Sequence, residues 1–236
     1  MSTPTAAELW ERSLATPITD DEIRDVLILH SHLERFGIPS KAISRLLIAT
    51  EGVIGGSLPL QAVLRRKWLS SDLDIYPPNA VMDDVAQWTG LLIAFGYRIT
   101  HISTSYVHAR NPRLGEAILS VRTFMRYDPV EWTPRTIQLI VCKDIATVFN
   151  AIDLTCCALR YDGNRLVALE DIKLIRKGVA YMRHPLHTMV QTEIEGRLRK
   201  YSKRGITVLN YERTELLTAE DASLKWSIAR NEQANQ

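Results

Sequence analysis

Apolar residues recur at helical spacing through the first fifty positions. Ile23, Val26, Leu27 and Leu33 fall on one stripe, as a helix packed on a core requires. Thr19 stands in a capping position ahead of them, and Asp20, Asp21 and Glu22 place negative charge in the first turn, where the helix dipole favours it. Gly37-Ile38-Pro39 stops this helix, and Ser40 is placed to cap a second one carrying Ile43, Leu46, Leu47 and Ala49. After Glu51 the texture changes. Gly52-Val53-Ile54 is a short apolar strand that runs into Gly55-Gly56-Ser57, and a helical stretch follows from Leu58 to Trp68. Ser71-Asp72-Leu73-Asp74-Ile75-Tyr76 then alternates polar with apolar, the pattern of a half-buried strand, and Pro77-Pro78 ends it. Residues 80–95 read as a helix closed by Gly96.

Strands dominate the middle of the chain. Tyr97–Ile102 and Ile118–Tyr127 alternate, and Thr136–Val141 is rich in β-branched residues. Asp128–Pro134 forms a turn between the last two. Asp144 opens a short helix, Asp153–Leu159 reads as one more buried strand, and Tyr161–Asn164 reads as a turn. Helices return at 169–182 and 186–204, with Gly205 as terminator. This order predicts an α/β (α+β) protein with a mixed sheet: N-terminal helices over residues 1–50, a sheet-bearing core over 51–167 and a helical part over 168–236.

Composition adds constraints. A hydrophobic fraction of 46% supports a packed core and excludes wholesale disorder. A net charge of +2 excludes a polycation that grips nucleic acid along its whole length. The charge is uneven, however. Between Lys173 and Arg213 ten basic residues face three acidic ones, and Arg197, Lys200 and Arg204 share one helical face. The three cysteines, Cys142, Cys156 and Cys157, form no CxxC, so neither a disulfide framework nor a thiolate zinc site is expected. With no basic-then-apolar leader and no apolar run near the roughly 20 residues that cross a bilayer, a reducing cytoplasmic setting without membrane contact is expected. The six histidines show no metal-ligand spacing.

The chemistry lies between residues 55 and 74. Asp72 and Asp74 stand two apart on a strand, so their carboxylates share a face while Leu73 and Ile75 turn to the core. Two such carboxylates repel unless a cation lies between them, and Mg²⁺ prefers hard oxygen ligands shared with substrate phosphates. Gly55-Gly56-Ser57 supplies the complement: backbone N–H groups unshielded by Cβ atoms, a helix N-terminus and a hydroxyl, all suited to phosphate.

Gly55-Gly56-Ser57 followed by Ser71-Asp72-Leu73-Asp74-Ile75-Tyr76 resembles the signature of the DNA polymerase β-like nucleotidyltransferase superfamily. Ile137-Gln138-Leu139-Ile140 and Arg199-Lys200-Tyr201…Arg204-Gly205 are similar to a loosely characterised viral and fungal branch of it. The resemblance implies the nucleotidyltransferase fold and two-metal transfer of a nucleoside monophosphate from an NTP. Gly55, Gly56 and Ser57 would hold phosphates, while Asp72 and Asp74 would hold Mg²⁺ or Mn²⁺. Arg65, closing the helix after the glycine turn, and Lys200 and Arg204 join the expected nucleotide contacts. Active members carry a third carboxylate on a neighbouring strand. Here that strand, Ile137–Val141, offers the neutral Gln138; the nearest substitute is Asp153, expected as third metal ligand and catalytic group. Asp144 reads instead as a helix cap. The acceptor hydroxyl would be on RNA (a tRNA 3′ end, for instance), on a protein side chain or on a small molecule, and a toxin or defence role is one form of the same chemistry. The alternative is an inactive member that binds nucleotide or RNA or serves in a complex.

Overall fold

The structure, a computed structural model, describes residues 17–68, 71–77, 82–104, 114, 117–130, 132–169, 172–184, 191–210, 212 and 215–222. Helix α1 (Asp20–Glu34) starts where expected, with Thr19 Oγ1 accepting the Glu22 N–H at 3.2 Å. Helix α2 (Ser40–Thr50) starts differently. Pro39 is its N-cap, with no side-chain capping bond, and Ser40 is already the first helical residue.

Strand β1 (Val53–Gly55) leads into helix α3 (Ser57–Leu64), then strand β2 (Leu73–Tyr76) and helix α4 (Met82–Ala94). Strands β3 (Arg98–Ser103), β4 (Ile118–Tyr127) and β5 (Pro134–Cys142) follow, and helix α5 (Ile145–Ala151) connects them to β6 (Leu159–Tyr161) and β7 (Leu166–Ala168). These strands form one seven-stranded sheet in the order β3-β4-β5-β2-β1-β6-β7. All neighbours are antiparallel except β2 and β5, which run parallel and bring together segments far apart in sequence. The sheet is therefore mixed, as the sequence predicts. Alternation fixes its core face: Leu73, Ile75, Phe124, Ile137 and Leu139 are fully buried there. Asp144 caps α5, its carboxylate accepting the Ala146 and Thr147 N–H groups.

Further expectations need correction. Ile23 and Leu27, read as part of the core-packed stripe of α1, are exposed; the helix turns Glu22, Asp25, Leu29, His32 and Leu33 inward instead, because Arg165 and Arg176 take up the two carboxylates. Helix α3 ends at Leu64, not Trp68, because Arg65 adopts a left-handed conformation (φ +54°) that closes the last turn. The buried stretch Asp153–Leu159 does not run as a strand. It makes a 3₁₀ turn at Thr155–Cys157 first, and Thr155 Oγ1 accepts the Tyr181 N–H at 3.0 Å, a side-chain bond that competes with strand pairing. Within 169–182 only Ile172–Arg176 is described as helical (α6). Gly178 then turns at φ +75°, and β8 (Val179–Tyr181) pairs in parallel with β9 (Thr207–Leu209). Between them lies helix α7 (Gln191–Lys203), ended by Gly205 at φ +74°.

Ion pairs tie α1 to distant segments. Glu22 takes a bidentate contact from Arg165 at 2.8 and 3.0 Å, and the fully buried Asp25 takes Arg176 at 2.6 Å. A single hydrophobic core draws on residues from Leu29 to Ala222. The three cysteines are buried free thiols, and no described helix is long and apolar enough to cross a membrane.

Candidate functional site

Pairing between β1 and β2 sets Gly55 opposite Asp74. A Cβ at Gly55 would lie 2.7 Å from Phe149 Cζ and 2.9 Å from Tyr76 Cε2; one at Gly56 (φ +73°) would lie 2.2 Å from Asp74 Oδ2. The turn is glycine because the backbone itself presses against a carboxylate. Ser57 then opens α3, whose first N–H groups have no intrahelical acceptors. Fully buried Gln61 braces this corner. Its Nε2 donates to Ser71 Oγ at 2.8 Å and its Oε1 accepts the Trp68 N–H at 2.7 Å, while Ser71 Oγ meets Ser57 Oγ at 2.7 Å.

Leu73 and Ile75 are buried on the core face, so Asp72 and Asp74 take the opposite face. Both line a cavity of about 360 Å³ together with Gly56 and Ser57; Arg197, Lys200 and Arg204, from α7 and its C-terminal end, line it too. The basic stripe read from the sequence thus meets the acidic pair. Arg204 stacks on Trp68 with its guanidinium 4.1 Å from the ring centre, and its carbonyl accepts from Arg66 Nη1 at 2.7 Å.

The electrostatics match this composition. Burial, reinforced by the Asp72 charge, raises Asp74 to about 7. Burial also raises Asp72, with Lys200 pulling the other way. Lys200 itself is pushed down by burial and then by Arg204. The two carboxylates make no hydrogen bond or ion pair among the described residues, which leaves hard oxygen donors at a site where negative charge is strained. That donor set suits a divalent cation. Among the described residues no third His, Cys, Asp or Glu joins them to form a metal-binding cluster.

Asp153 lies elsewhere. Its buried carboxylate takes Arg197 Nη1 at 2.5 Å, and it is not among the cavity-lining residues. Burial alone would lower Arg197; the Asp153 charge, joined by Cys157, Tyr201 and Glu193, outweighs it and the net shift is upward. The position beside Asp74 belongs to Gln138, its partner in the parallel β2–β5 register. Arg65, expected at the phosphates, turns instead towards α1 and pairs with Asp21 at 2.9 Å. Gly55, Gly56, Ser57, Asp72, Asp74, Lys200 and Arg204 are brought together; Arg65 and Asp153 are not.

No protein-family profile and no curated protein matches this sequence. Solved structures do. A CCA-adding enzyme in its apo form superposes with a TM-score of 0.50 at 13% identity, over 83% of this chain and 44% of the enzyme. The fold is that of the nucleotidyltransferases. Weaker superpositions include the Thermotoga maritima CCA-adding enzyme complexed with tRNA (TM-score 0.49, 13% identity, 81% of this chain and 43% of that one) and a CCA-adding enzyme with ATP (0.48, 12%, 83% and 44%). This chain spans less than half the length of each of these enzymes.

Sequence reasoning missed Gln61 and Trp68 as supports of the site. A buried glutamine carries no spacing signal, and Trp68 meets Arg35 and Arg204, which lie far along the chain in either direction. Arg197 was legible as part of the basic stripe, but not as the partner of Asp153.

Proposed function

We propose that this protein is a metal-dependent nucleotidyltransferase that moves a nucleoside monophosphate from an NTP to an acceptor hydroxyl. The observation that carries the reading is the seating of Asp74 against the Gly56 backbone in a cavity shared with Asp72, Ser57 and the Arg197-Lys200-Arg204 stripe. The likeness to a CCA-adding enzyme supports the fold on which that reading rests. Asp72 and Asp74 would hold Mg²⁺ or Mn²⁺. The bound ion supplies Lewis-acid polarisation of the α-phosphate and a more acidic attacking hydroxyl.

The protein's own residues do the rest. The Gly56-Ser57 turn and the α3 N-terminus offer N–H and hydroxyl donors to the β- and γ-phosphates. Lys200, Arg204 and Arg197 balance the charge of the triphosphate and its leaving pyrophosphate. Asp153, rather than acting as metal ligand or base, holds Arg197 in place. The resemblance to the viral and fungal branch, through Gln138 on its strand and the Arg199–Gly205 segment, belongs to this reading.

Gln138 favours a second reading. With a neutral amide next to Asp74, the pocket would bind nucleotide without transferring it. One experiment separates the two: incubation with each labelled NTP, Mg²⁺ or Mn²⁺, total RNA and cell lysate, for the wild type and for Asp72→Ala/Asp74→Ala. Label on RNA, protein or a small molecule with the wild type alone establishes transfer and reports the acceptor. Metal-dependent binding without label establishes the second reading.

A further inference from the structure

Strand register carries a feature outward from the carboxylates. Asp74 pairs with Gln138, Gln138 with Thr123, and Thr123 with His101, so four side chains form one row across β2, β5, β4 and β3. Register partners share a face, and this face is opposite the one that buries Leu73, Ile137, Leu139 and Phe124. The row spans three inter-strand spacings of about 4.8 Å, roughly 14 Å. Beside it, Arg98 pairs with Met125, and two residues further along β4 lies Tyr127. Arg98 and His101 are exposed, Thr123 and Gln138 are half-buried, and Tyr127 is 59% exposed.

The chemistry of this shelf is selective. It offers a cation, two flat rings and neutral hydrogen-bonding groups, while β3, β4 and β5 contain no Asp or Glu. No carboxylate of these three strands opposes an anionic strand on its way to Asp72 and Asp74, where a metal is required. An extended peptide adds to a strand edge through backbone hydrogen bonds rather than lying across a sheet face.

We infer that the shelf is the acceptor path and that the acceptor is single-stranded RNA. Arg98 contacts phosphate, His101 and Tyr127 stack on bases, and Thr123 and Gln138 lead the terminal hydroxyl towards Asp74. Gln138 is then an acceptor contact rather than a failed metal ligand. The inference rests on the nucleotidyltransferase reading, and the test keeps the two apart.

Anisotropy of a fluorescent unstructured RNA 12-mer is compared for the wild type, Arg98→Ala/His101→Ala/Tyr127→Ala and Gln138→Ala. Calorimetric binding of an NTP with Mg²⁺ is measured in parallel, and thermal unfolding confirms that each variant is folded. The expected result is a loss of RNA affinity of at least about tenfold in the triple variant, with NTP binding within twofold of the wild type. A metal-dependent NTP signal with RNA affinity unchanged in the triple variant overturns the shelf and leaves the transferase reading standing. Binding of an extended peptide in place of RNA, lost in the same variant, overturns the RNA assignment. If the wild type binds no metal–NTP, the underlying reading falls and the shelf with it.

Discussion

A methyl group added at Gly56 would sit 2.2 Å from Asp74 Oδ2, on a residue at φ +73° and ψ −141°. That backbone region is essentially reserved for glycine and costs another residue about 1–3 kcal/mol. Gly56→Ala is therefore expected to displace the Asp74 carboxylate and abolish metal-dependent NTP binding, with a loss of stability of that order; calorimetry and thermal unfolding read the two effects. Asp74 supports a pH prediction. Its native pKa of about 7 stands above the ordinary value of 3.8. The native state therefore holds its proton more tightly than the unfolded chain, and stability is lost as pH rises from about 4 to about 7. Asp74→Asn removes the ionisation. In metal-free buffer the variant should unfold at a higher temperature than the wild type at pH 8, and the difference should close near pH 4. A variant that is less stable at pH 8 would contradict the burial of this carboxylate.

Between elements, two contacts hold the cavity in shape. Gln61 on α3 fixes Ser71 and the Trp68 N–H from the segment that follows. Gln61→Ala leaves the Trp68 N–H without its acceptor, which is expected to cost about 2 kcal/mol and to weaken NTP binding because Ser57 and Ser71 lose their brace. The Asp153–Arg197 pair joins the loop before the 3₁₀ turn to α7. Its Arg197 side chain is 31% exposed, so removal of Asp153 should cost less than a fully buried pair, about 1–3 kcal/mol. If Asp153 acts only through Arg197, a double-mutant cycle settles it: Asp153→Asn and Arg197→Ala should each weaken NTP binding, and together by no more than Arg197→Ala alone. Additive losses, or a turnover defect in Asp153→Asn with NTP binding intact, would restore Asp153 as a group acting on its own.

At the scale of the whole molecule, the three segments expected from the sequence share one core, and α1 is held by Glu22–Arg165 and Asp25–Arg176. Unfolding should consequently be a single cooperative transition, with calorimetric and van't Hoff enthalpies equal. Asp25 is fully buried against Arg176, so Asp25→Ala strands a partly buried guanidinium and should shift that one transition by about 3 kcal/mol. A separate early transition for α1 would show that the N-terminal helices are an independent unit.

Capping chemistry placed the start of α1 and helical periodicity gave the span of α4, whose apolar face is buried. The face of α1 was misread, because Ile23 and Leu27 are exposed while Glu22 and Asp25 turn inward to distant arginines. The span of β4 was legible from its apolar–polar pattern, although a register shift after Ile118 interrupts the alternation. The glycine turn and the Asp72/Asp74 pair were legible for a related reason: close backbone approach requires glycine, and period-two spacing puts both carboxylates on one face. The segment after Asp153 was not legible, since its residues are buried on all sides and periodicity then carries no direction. The partners of the long charged side chains were equally hidden. Arg65, Arg197 and Arg204 read alike in a sequence, as cations on helices. Only the meeting of distant segments gave Arg65 to Asp21, Arg197 to Asp153 and Arg204 to Trp68. The same long-range register, β2 parallel to β5, decided that Gln138 rather than Asp153 stands beside Asp74. Pattern along a chain records which face is dry, whereas the partner of a charge is set by chain reversals that no local pattern encodes.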